Sequence, residues 1–188
     1  AQKVVDAVLA KDPAQKDRSK VVQAEILIQR RQFADAEAIV GELGLTNPKA
    51  QAINLVLAFN YFAVGNEAKS RELYDAFFKL YEKQKPTDPD VLLRYRDAAF
   101  KYAQILMMAG DYVGAAAGFE RVEAVAESNE QKRSLQVSRA QALVKAAEKL
   151  SGDEKNKILE DAKKVCETLQ WGGLDLQFVD SSVIMANI

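Results

Sequence analysis

The sequence predicts an all-α fold, an α-solenoid of antiparallel helix pairs, on three observations. Apolar residues recur at i, i+3, i+4 and i+7 through almost every long segment, which is helical periodicity. Only four prolines and nine glycines interrupt the 188 residues, and no stretch alternates apolar and polar side chains as a half-buried strand does. The helical segments also repeat along the chain.

The repeat is legible in two registers. First helices are expected in VVQAEILIQRRQF, LVLAFNYFAVGN, FKYAQILMMAGDY and VSRAQALVKAAEKL, where a small Ala24, Ala58, Ala103 or Ala140 precedes Leu27, Tyr61, Leu106 or Leu143 by three positions. Second helices are anchored by Ala1, Ala36, Ser70, Ala115 and Ala162. Each anchor is followed four residues later by Val5, Val40, Tyr74, Phe119 or Cys166, and three further on by Val8, Leu43, Phe77, Val122 or Leu169. Pro13 and Pro48 stand twelve after the first two anchors. The first-helix anchors step by 34, 45 and 37 residues, a single period with two insertions.

This pattern resembles the tetratricopeptide repeat (TPR), a helix-turn-helix unit of about 34 residues. GNEAKS from Gly65 and AGDYVGAA from Ala109 are similar to the family's turn between the two helices. The resemblance implies a single right-handed superhelical domain over 1–188. Its expected parts are a second helix at 1–16, repeats at 17–50, 51–94, 96–129 and 130–172, and a further first helix at 173–188. The 51–94 unit is expected to carry a long second helix and a Pro-bearing loop through EKQKPTDPD, and the 130–172 unit a turn stretched through KLSGDEKNK. Lys20 and Asn54 stand where the family has a large residue, and Glu82 and Glu127 where it has the closing proline. The ends match half-repeats, so the chain reads as a segment of a longer array.

Composition bounds the function. The chain is 48% hydrophobic and 28% charged, the balance of an ordinary folded soluble protein. Its 26 Lys and Arg against 27 Asp and Glu give a net charge of −1, with no general attraction to nucleic acid or anionic membrane. The absence of histidine removes the usual metal ligand and general base, and a single Cys166 allows no internal disulfide. Cys166 falls where the repeat wants a buried side chain, so it is expected in the core. No apolar run approaches the ~20 residues that span a bilayer. No nucleotide fingerprint, metal cluster or polar constellation marks an active site, so neither catalysis nor a cofactor is expected. The compartment, cytoplasmic or periplasmic, is not given by any segment present.

In AGDYVGAAAGFERV, Gly110, Gly114 and Gly118 step by four. Phe119 and Glu120 stand where a phosphate loop needs Lys and a hydroxyl. Gly110 is expected to end a helix at positive φ, and Gly114 with Gly118 to form a flat strip against a neighbouring helix. Trp171, followed by Gly172 and Gly173, is expected as an apolar tuck at a helix stop.

The resemblance also implies where a partner sits: a concave face made by positions 2, 5, 9, 12 and 13 of the first helices. Mapped onto this sequence, that face is expected to carry Val21, Glu25 and Ile28, then Leu55, Phe59 and Phe62, then Phe100, Gln104, Met107 and Met108, with Arg18 and Asp97 at two of the second positions. Val21 and Glu25 exclude the basic clamp with which chaperone-binding members hold a terminal carboxylate. An apolar face with adaptable methionines suits an apolar peptide or amphipathic helix. The expected role is a non-catalytic protein-interaction scaffold with protein or peptide partners and no nucleic acid. Two alternatives stand beside it: an architectural segment buried in a homotypic contact, and, more remotely, RNA binding as in pentatricopeptide proteins.

Overall fold

A computed structural model describes residues 13–172, 176–186 and 188. The helix expected at 1–16 falls almost wholly outside them. The described residues form helices and no strand: α1 Pro13–Gln29, α2 Phe33–Leu43, α3 Pro48–Ala63, α4 Glu67–Lys79, α5 Pro89–Met108, α6 Tyr112–Glu123, α7 Asn129–Ala147, α8 Gly152–Trp171 and α9 Leu176–Met185. The chain, expected as one domain, divides into two compact units, 1–91 and 92–188.

Within each unit, helices pack in chain order and first helices also meet each other. In the first unit α1 lies against α2 and α3, and α3 against α2 and α4; in the second, α7 lies against α6, α8 and α9, and α8 against α9. The small anchors permit this. Ala24, Ala36, Ala58, Ser70, Ala103, Ala115, Ala140 and Ala162 are all at 0% exposure, so neighbouring backbones approach where each anchor sits. The larger register residues Tyr74, Phe77, Phe119, Val122, Cys166 and Leu169 fill the space between.

One turn joins the helices of three pairs. The amide of Asn66 donates to Tyr61 O at 2.8 Å and that of Gly65 to Phe62 O at 2.9 Å; Asp111 to Leu106 O and Gly110 to Met107 O repeat the pattern, as do Gln32 to Leu27 O and Arg31 to Ile28 O. These paired bonds form a Schellman closure, which needs a left-handed residue. Gly65 (φ 82°) and Gly110 (φ 76°) supply it without strain, whereas Arg31 adopts φ 59° with a side chain. The next residue caps the second helix: Asn66 accepts from Lys69 N, and Asp111 from Gly114 N.

Three expectations are corrected here. The second helix of the 51–94 unit is not long, since α4 stops at Lys79. From Glu82 to Asp90 the chain has no apolar residue except two prolines, hence no face for a helix to bury. The turn in KLSGDEKNK is not stretched either: α8 begins at Gly152, because Asp153 and Glu154 favour the positive end of its dipole. Trp171 is not tucked but 90% exposed at the end of α8.

Of the glycines, Gly118 behaves as expected and Gly114 does not. A Cβ on Gly118 would stand 2.8 Å from Ala103 Cβ across the α5–α6 contact. A Cβ on Gly114 would instead meet the capping carboxylate of Asp111 at 2.9 Å, so it makes room for the cap and not for another helix.

Candidate functional site

Helical spacing alone sets out the candidate residues. On α3, Ala52, Leu55, Phe59 and Phe62 recur at steps of three, four and three, and on α5 Asp97, Phe100, Gln104 and Met107 do the same, so each set lies along one stripe. On α3, Phe59 is 52% exposed while Leu55 and Phe62 are half-buried, and the neighbouring Val56, which the sequence reading passed over, is also exposed. The inward face of the same helix carries Ile53, Asn54, Leu57 and Ala58. Asn54 is no misfit there, because its Nδ2 donates to Leu73 O of α4 at 2.8 Å.

On α1, Glu25 is exposed and Val21 half-buried, but Ile28 is only 8% exposed and belongs to the core. It stands one turn after Ala24, whose face points inward. Beside α3, the hydroxyl of Tyr61 donates to Glu37, and Lys69 reaches the same carboxylate at 2.8 Å. Phe33 meets the Tyr61 ring edge-on at 5.1 Å.

In the second unit, Met108 is 69% exposed, Gln104 and Phe100 are exposed, and Met107 is half-buried. The Phe100 ring is held edge-on by Phe119 at 6.2 Å. Phe100 also lines a pocket of about 640 Å³ between α5 and α7. Arg96 and Asp97 share its α5 wall; Glu130, Gln131, Ser134 and Ser138 form the α7 wall, with buried Val122 and Leu135 at its base. Buried Arg96 bonds Glu127 at 2.7 Å. Ser128 accepts from Gln131 N at 3.1 Å while Gln131 Oε1 accepts from Glu127 N at 2.8 Å, so the segment entering α7 is pinned at both ends.

The α7 side of this pocket was not anticipated. Its signal was present: with Ala140 as the eighth position, Ser134 is the second, the place that Asp97 takes on α5. Among the described residues, no group of three or more Cys, Asp or Glu could hold a metal ion, and no helix is long and apolar enough to cross a membrane.

No family model and no curated protein matches the sequence. Among solved structures it is similar to a Podosopora anserina protein described as a putative kinesin light chain with nearly identical TPR-like repeats. The TM-score is 0.52 at 20% identity over 90% of this chain and 83% of that one. A singly substituted form of the same protein gives 0.51 at 20% identity, covering 90% and 82%. With the helix order and the recurring turn, these likenesses establish the architecture: the chain has the all-α solenoid fold of a TPR-like repeat protein.

Proposed function

We propose that this chain is a protein-interaction scaffold whose first-helix faces bind an apolar peptide or amphipathic helix. The observation that carries the reading is the exposure of Phe59 and Met108 on stripes whose opposite faces are fully packed. Large apolar side chains held out by a rigid helix bury area on docking without a large ordering cost, and methionine adapts to the shape it meets. The fold supports the same reading, since stacked helix pairs present long binding faces.

A display selection of random 12-residue peptides against the chain tests it. Recovered peptides are expected to carry apolar residues at i, i+3 and i+4 spacing, and each is expected to lose binding to Phe59→Asp or to Met108→Asp. Peptides that bind both variants unchanged would refute it.

A second reading, self-association, is favoured by α9, where Leu176, Val179 and Val183 are all exposed along one stripe. Light scattering across a dilution series checks this: Val179→Asp should abolish any concentration-dependent dimer, and a chain that stays monomeric throughout removes the reading.

A further inference from the structure

We infer that the pocket between α5 and α7 takes a lysine or arginine side chain of a protein partner, its methylene stem on Phe100 and its cationic head against Asp97 and Glu130. This rests on the scaffold reading above and adds the chemistry of one partner residue to it.

Charge is the first argument. The lining holds three carboxylates, Asp97, Glu127 and Glu130, and one guanidinium, Arg96. Arg96 is committed to Glu127, and its burial keeps it there. Asp97 and Glu130 have no hydrogen-bond or ion-pair partner among the described residues and are exposed, so the pocket's unspent charge is negative and accessible. An anionic partner is opposed by the same two groups.

The second argument is the apolar part. Phe100, Val122 and Leu135 offer a surface that a bare cation does not use but a Lys or Arg stem does. A ring beside two carboxylates also favours a cation over its face. The three carboxylates do not form a metal-holding group, which turns the choice from an inorganic to an organic cation. The third argument is preorganisation. The Arg96–Glu127 pair, the Ser128–Gln131 caps and the Phe119 contact fix the walls, so little ordering is required when a side chain enters.

The test is an ¹⁵N-HSQC titration of the whole chain with three capped pentapeptides: Leu-Lys-Leu-Lys-Leu, the same with norleucine for lysine, and the same with glutamate. The lysine peptide is expected to shift the amides of Phe100, Gln131 and Ser134 and to bind about tenfold tighter than the norleucine peptide, the size expected of two exposed ion pairs. Asp97→Asn with Glu130→Gln should erase that preference while leaving the remaining spectrum in place. Equal binding of all three peptides, no shift at the pocket amides, or a preference that survives the double substitution would each overturn the inference. Shifts at Phe59 and Met108 without shifts at the pocket would overturn it and leave the scaffold reading standing. Pocket shifts with none at Phe59 and Met108 would uphold the inference and remove those two side chains from the partner-binding face.

Discussion

Replacing Gly118 with alanine sets two magnitudes against each other. Alanine gains about 1 kcal/mol over glycine in a helix interior. The added methyl, however, would stand 2.8 Å from Ala103 Cβ and 3.1 Å from Ala103 Cα, where carbon contacts prefer about 3.5–4.0 Å. The nearer atom is a methyl fixed to the backbone and the farther one is backbone, so no flexible side chain can swing away. Relief requires α5 and α6 to part, which also loosens Phe119 against Phe100. Overpacking of this kind costs about 1–3 kcal/mol, so the net expectation is a loss of about 1 kcal/mol, or roughly 2–4 °C in Tm for a chain of this length. In an Ala103→Gly background the 2.8 Å methyl contact is gone and only the 3.1 Å approach to the Cα remains, so the same substitution should come out close to neutral, its helix gain of about 1 kcal/mol offset by that residual contact. The coupling is therefore about 1 kcal/mol, read from urea unfolding followed by circular dichroism. Gly118→Ala raising stability in the wild-type chain, or a coupling below about 0.5 kcal/mol, would refute the close contact.

Three further outcomes follow from the packing. Arg31→Gly should raise the urea midpoint by relieving a left-handed residue that costs about 1 kcal/mol with a side chain; an unchanged or lower midpoint would contradict the strain. Asn54→Ala should cost about 2 kcal/mol in the same assay, from the lost bond to Leu73 O and the space left at a site 1% exposed. Burial pushes the Cys166 thiol from its ordinary 9.0 up to about 11. The folded state favours the neutral thiol, so this contribution is fully present below pH 9.0 and disappears as pH rises through about 11. At pH 8 a disulfide reagent should therefore react with native protein only as fast as it opens, and immediate stoichiometric labelling would contradict the burial.

The fold was legible because its rules are local. Small residues at Ala24, Ala58, Ala103 and Ala140 have to be small wherever two backbones approach, and Gly65 and Gly110 have to be glycine where a helix closes left-handed. Arg31 marks the limit of that logic: the first pair makes the same turn with a residue that propensity would not choose, because the following Gln32 to Leu27 bond holds it. The candidate site was read less completely. Ile28 was assigned to the surface by position alone, although its spacing from Ala24 puts it on the packed side. Gly172 and Gly173 mark a helix stop and so suggest a tucked Trp171, yet a stop by itself supplies no hollow, and the side chain stands exposed. The carboxylates around Phe100 come from two helices and a loop, and only three-dimensional packing brings Asp97 opposite Glu130.

The central claim is that exposed side chains on the first helices bind a partner that the packed faces only support. Its most direct test is the affinity, by titration calorimetry, of one selected amphipathic peptide for wild type and for Phe59→Asp and Met108→Asp, each with its helical circular dichroism matched to wild type. The account predicts that at least one of the two aspartates weakens binding by about tenfold or more while the helical signal is unchanged, since a charge replaces about 1.5–3 kcal/mol of apolar burial. Unaltered affinity in both variants with the fold intact would contradict it.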